Sequence, residues 1–212
     1  MTTRSSPWLV SLAAALLLLL AGAAVIRAAR PDRPPEEPPG APPQAMTAGV
    51  FTPAYAAPDF RLRGTDGADV TLARYHGKVV LLEFGFTYCA AVCPTTLATL
   101  AQARSTLGKA ADSVQVIFVT VDPARDDLAH LREYLAAFDH SFIGATGAPG
   151  TLATVRAAYG VTAVKQGTGA DYAIAHTSSV FLIDRAGKLR AMMPYGHDAA
   201  DFVRDIQLLL AD

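Results

Sequence analysis

One stretch governs what this chain can become. Leu81-Leu82-Glu83-Phe84-Gly85-Phe86-Thr87-Tyr88-Cys89-Ala90-Ala91-Val92-Cys93-Pro94 runs an apolar strand into a short loop holding the only two cysteines in 212 residues. Pro94 suits the first position of a helix, where a missing N–H is no loss, so the spacing predicts Cys93 at or beside the N-cap. A sulfur there faces unpaired N–H groups and the positive end of the helix dipole, both of which favour thiolate.

The flanking text sets the fold class. Val79 to Phe84 is an apolar run bounded by Gly77 and Gly85, and Val114 to Val121 is a second, rich in β-branched residues. Both predict strands buried on two faces. Helical spacing follows Pro94 at Leu97, Leu100 and Leu107, and recurs at Leu128, Leu131, Leu135 and Phe138. Phe202, Val203, Ile206, Leu209 and Leu210 give the last helix its stripe. Gly64-Thr65-Asp66-Gly67 and Asp184-Arg185-Ala186-Gly187 are hairpin turns, and Val161 to Ala175 reads as a protruding hairpin or loop. Helices alternating with buried strands, closed by a hairpin, predict an α/β fold with a mixed central sheet flanked by helices.

The N-terminus reads differently. Residues 1–7 are a short flank, and Trp8 to Ile26 is 19 residues without charge or proline, the length of a transmembrane anchor. A signal peptide is the competing reading, because Ala21-Gly22-Ala23 fits a cleavage pattern. Residues 27–54 form a Pro-rich linker, with seven prolines between Pro31 and Pro43, and a globular domain is expected over 55–212. Arg27, Arg30 and Arg33 outnumber Arg4 across the segment, which by charge alone places the domain in the cytoplasm. Net charge is −1 with scattered basic residues, which excludes a nucleic-acid footprint.

Two cysteines four apart close too short a loop to staple a domain, which leaves redox chemistry or metal binding. The CxxxC spacing permits a disulfide if the loop curls, and two thiolates also suit a soft ion such as Cu(I). An added imidazole makes the site usable by Cu(II). Of His76, His130, His140, His176 and His197, only His176 precedes a strand expected beside the cysteine loop, Ser179 to Ile183. The residues alone leave it open between a structural imidazole and a third ligand.

Three separated segments then carry a resemblance. Phe84 to Leu97, Val119-Thr120-Val121-Asp122-Pro123-Ala124-Arg125-Asp126, and Asp171-Tyr172 with His176 ahead of Val180 to Asp184 are similar, in order and spacing, to the Sco/SenC family of membrane-anchored copper proteins. The likeness spans about Ala57 to Asp212. It implies a thioredoxin-like domain behind one N-terminal transmembrane helix, with copper, as Cu(I) or Cu(II), held by Cys89, Cys93 and His176. It implies delivery of copper to the CuA site of cytochrome c oxidase subunit II, or upkeep of that site's thiols. It also implies a location on the periplasmic face of an inner membrane, or the intermembrane-space face in mitochondria, against the arginine count. Ala90-Ala91 departs from the family's usual proline-bearing loop, which predicts a more mobile loop with its ligands intact. The rival expectation is a thiol–disulfide oxidoreductase using Cys89 and Cys93, with copper incidental. The Asp122 to Asp126 run is read here as turn and helix-start chemistry and kept out of the site.

Overall fold

The structure, a computed structural model, describes residues 45–212. The expected anchor at 8–26 and the linker as far as residue 44 lie outside the described residues. Within them, no helix is long and apolar enough to cross a membrane.

Strands β1 (Gly49–Ala56), β2 (Leu62–Gly64), β3 (Asp69–Val70), β4 (Val79–Gly85), β5 (Val114–Thr120) and β6 (Ile143–Thr146) share one sheet with β9 (Ser179–Ile183) and β10 (Lys188–Pro194). Their order is β1-β10-β9-β4-β5-β6-β2-β3. β4, β5 and β6 run parallel, as strands joined through helices must, while β9, β10 and β1 add antiparallel on the far side of β4. The sheet is therefore mixed, as expected. β7 (Ala163–Gln166) and β8 (Ala173–His176) pair with each other as a separate hairpin.

Alternation along the central strands sorts the core into two layers. Val80, Leu82 and Phe84 of β4, with Ile117 and Val119 of β5, pack on one face against Leu152, Val155 and Tyr159, the first two from α3 (Pro149–Ala158). Val79 and Leu81, with Val116 and Phe118, turn to the other face. That face is covered by α1 (Val92–Leu107), α2 (Leu128–Ala136) and α4 (Ala199–Ala211). Burial on both sides explains why β4 and β5 read as unbroken apolar runs.

Three expectations are corrected. The domain begins earlier than residue 55: β1 starts at Gly49 and pairs with β10, and buried Asp205 of α4 accepts the Thr47 and Ala48 N–H groups at 2.7 and 2.8 Å. β1 escaped notice because, as an edge strand with most residues exposed, it lacks apolar alternation. Helix α1 starts two residues before Pro94, so the proline occupies its third position, where the N–H is still unpaired. The N-cap of α2 is Asp127, whose side chain accepts from His130 N–H; Asp126 is buried and serves elsewhere.

Candidate metal centre

The cysteine loop leaves β4 at Gly85 and curls at once, Cys89 N–H donating to the Phe86 carbonyl at 3.2 Å. Ala91, the N-cap of α1, offers no side-chain acceptor. A sulfur takes that place: Cys93 N–H, second in the helix, donates to Cys89 Sγ at 3.4 Å. Cys93 is fully buried and Cys89 half-buried, and both are free thiols.

The helix terminus thus serves Cys89, not Cys93 as the sequence suggested. Around Cys93 burial wins over the dipole. It pushes the thiol well above the ordinary cysteine range, with the Glu83 carboxyl adding to the effect. Burial thus favours the thiol at Cys93, and a metal ion bound at this sulfur would have to displace its proton.

His176 closes β8. Its Nε2 lies 3.4 Å from Cys93 Sγ, and its Nδ1 lies 2.9 Å from the Thr177 carbonyl. A carbonyl only accepts, so Nδ1 carries the proton and the Nε2 lone pair faces the sulfurs. Burial lowers the imidazole's pKa, which keeps the ring in its neutral, ligating form. The Phe86 ring stands edge-on at 5.7 Å and walls one side.

One ligand atom from each of Cys89, Cys93 and His176 lies within 4.8 Å of the other two. Sulfur and imidazole bond a first-row ion at about 2.0–2.3 Å, so donors sharing one ion stand roughly 3.5–4.5 Å apart, a side-chain rotation from what is found. Two thiolates and an imidazole suit Cu(I), Cu(II) or Zn(II). Among the described residues this is the one such cluster of His, Cys, Asp or Glu.

The other histidines stay apart from it. His197 pairs with Asp201 at 2.8 Å, beside the start of α4. His130 is nearer than its helical position suggested: Nε2 sits 2.9 Å from Thr87 Oγ1, and its ring lies 5.7 Å from that of Tyr88. The sequence reading also missed Asp126, fully buried, which accepts from Thr87 N–H at 3.2 Å and from the Thr87 and Thr120 hydroxyls at 2.6 Å each. It missed Glu83 as well, buried within β4, whose Oε2 has no hydrogen-bond partner among the described residues. A charge inside the apolar run Val79 to Gly85 was the signal for Glu83; nothing local marked Asp126 as buried.

A family model described as SCO1/SenC matches residues 51–211. The mouse (Mus musculus) mitochondrial Protein SCO2 homolog is 30% identical over 172 residues, covering 79% of this chain and 68% of that protein. The Arabidopsis thaliana mitochondrial Protein SCO1 homolog 1 is 35% identical over 127 residues, covering 58% of this chain. The match spans only 38% of the plant protein's length. Among solved structures, Bradyrhizobium japonicum ScoI with copper bound is 35% identical with a TM-score of 0.68, covering 73% of this chain and 99% of that one. The fold is thus the thioredoxin-like one that the three motifs implied.

Proposed function

The chain belongs to the SCO1/SenC family, and we propose that it carries copper at Cys89, Cys93 and His176 and passes it to a copper-accepting protein. The observation that carries this is the convergence of two sulfurs and a lone-pair-bearing Nε2 within 4.8 Å, from segments more than eighty positions apart. The ScoI structure with copper bound supports the choice of copper over zinc.

The chain's residues divide the work. Half-buried Cys89 is the sulfur an incoming protein reaches first, and Cys93 releases its proton as it takes the ion. His176, held by Thr177, adds a neutral donor. Release follows by ligand exchange, as acceptor thiolates replace Cys89 and then the deeper donors. Motif resemblance supports the CuA site of cytochrome c oxidase subunit II as recipient. It also supports a domain tethered through residues 8–26, on the periplasmic or intermembrane-space face.

The unequal exposure of the two sulfurs favours a second reading, thiol–disulfide exchange. Cys89 would attack a partner disulfide and Cys93 would resolve the mixed disulfide. The partner then gains two electrons and two protons as the Cys89–Cys93 bond forms. Titrating the purified, reduced protein with Cu(I) and Cu(II) separates the two. One equivalent bound, with thiolate-to-Cu(II) absorption, supports the carrier; no binding alongside rapid reduction of disulfide substrates supports the oxidoreductase.

A further inference from the structure

The run Asp122 to Asp126, which the sequence presents as a turn after β5, touches both segments that bear ligands. On one side Asp126 holds the cysteine loop through the Thr87 amide and hydroxyl. On the other, Arg125 reaches the β7–β8 hairpin. Its Nη1 donates to the Tyr172 carbonyl at 3.1 Å and to the Ala170 carbonyl at 3.5 Å. Its Nε donates to Asp122 Oδ2 at 2.5 Å, and the Tyr172 hydroxyl closes the ring by donating to Asp122 Oδ1 at 2.6 Å.

The guanidinium also stacks. Its carbon stands 3.6 Å from the centre of the Tyr172 ring, 4.6 Å from that of Tyr88 and 5.8 Å from that of Phe86. Tyr172 belongs to the hairpin; Phe86 and Tyr88 belong to the cysteine loop. One planar cation therefore joins the two, and only an arginine offers both the flat face and the fork of donors that do so.

Ala163 and Ile174 pack the hairpin's inner side against the main core, and the Arg125 tie adds to that hold. The hairpin shares no ladder with the main sheet, and most of its strand residues are exposed. Its last residue is His176, so freedom of the hairpin is freedom of the third donor.

We infer that Arg125, with Asp122 and Tyr172, is a clasp that positions the His176-bearing hairpin against the cysteine loop and so sets whether the imidazole joins the two sulfurs. Arg125 is a positioning residue and bonds none of the three donor atoms. The inference rests on the copper reading proposed above. Loss of a residue that orients a ligand typically weakens metal affinity 10–100-fold, and here the loss should fall on Cu(II), which uses the imidazole. Cu(I), which two thiolates hold by themselves, should change by less than about tenfold.

The test compares wild type with Arg125→Ala, Arg125→Lys and Tyr172→Phe in two measurements. The first is hydrogen exchange of the amides of residues 163–176 in the metal-free, reduced protein. The second is Cu(II) titration with imidazole nitrogen coupling read by electron paramagnetic resonance. The clasp predicts faster hairpin exchange in Arg125→Ala with the central sheet unchanged, a Cu(II) affinity about 10–100-fold lower and a weakened nitrogen signature. Arg125→Lys, which keeps the charge and loses the fork, should restore part of each. Unchanged hairpin exchange and a full nitrogen signature in Arg125→Ala would overturn it. Should that variant not fold, unchanged exchange in both Arg125→Lys and Tyr172→Phe overturns it equally. A wild type that binds no copper would end the copper reading instead, and the metal-free exchange would still judge the clasp.

Discussion

A Cβ added to Gly85 would lie 2.8 Å from Cys93 Sγ and 2.7 Å from the Phe118 ring, so the end of β4 and the buried sulfur meet at a distance only glycine allows. Gly85→Ala must move the Phe118 ring or the sulfur. Overpacking of this kind costs about 1–3 kcal/mol, which in a domain of this size lowers Tm by about 2–4 °C per kcal/mol. Cu(I) affinity should fall with it, because Cys93 is one of the three donors proposed to hold the ion. Thermal melts and a competition titration with a Cu(I) chelator check both; an affinity equal to wild type would mean that the sulfur has room to relocate.

His176 is the proposed ligand whose loss the two functional readings answer differently. His176→Ala should reduce Cu(II) affinity at least as much as the ~100-fold typical of orienting residues, and abolish imidazole coupling. Cys89 and Cys93 should still be able to oxidise to a disulfide. Equal Cu(II) affinity in the two proteins would remove His176 from the centre.

Most of the frame was legible because β4 and β5 are buried on both faces and the helices between them carry plain stripes. Cys89, Cys93 and His176 were legible through motifs, not through geometry, since no local pattern brings residue 176 beside residue 93. What stayed hidden has a common cause: its partners are distant in sequence. Asp126 accepts from Thr87, 39 positions away, and Arg125 reaches Tyr172, 47 away. A charged residue after a strand has a sufficient local explanation as a turn or cap, and that explanation masks the long-range one. The helix start failed on a smaller scale, because Pro94 fits the first and third positions alike.

Asp126 is the acceptor on which the cysteine loop leans. Asp126→Ala leaves the Thr87 amide and the hydroxyls of Thr87 and Thr120 without it. An orphaned buried donor costs about 1–3 kcal/mol; the Thr120 hydroxyl is fully buried, whereas Thr87 is half-buried and its hydroxyl keeps His130 Nε2 as a partner, so a total of about 1–3 kcal/mol is expected. Urea denaturation at neutral pH measures it, with Thr87→Val as the smaller companion lesion. A loss under about 0.5 kcal/mol, the level of an ordinary surface change, would deny Asp126 this part.

Glu83 makes the stability of the domain depend on pH with a sign opposite to that of most carboxylates. Burial pushes its carboxyl well above the ordinary glutamate value of 4.5, with the nearby Cys89 sulfur adding to the effect. From pH 4.5 upward the unfolded chain releases the proton while the folded chain keeps it, so the folded state binds more protons and stability falls as pH rises. The contribution is intact below pH 4.5 and is lost progressively up to the raised folded value. Glu83→Gln keeps the shape and removes the titration. Its buried amide adds an offset of either sign, so the informative quantity is the slope: variant minus wild-type stability should climb from pH 4 to pH 8 in the reduced, metal-free protein. Urea denaturation across that range gives the slope directly. A flat difference would mean that the Glu83 carboxyl titrates in the folded protein as it does in the unfolded chain, and that the interior beside Cys93 is wetter than its burial indicates.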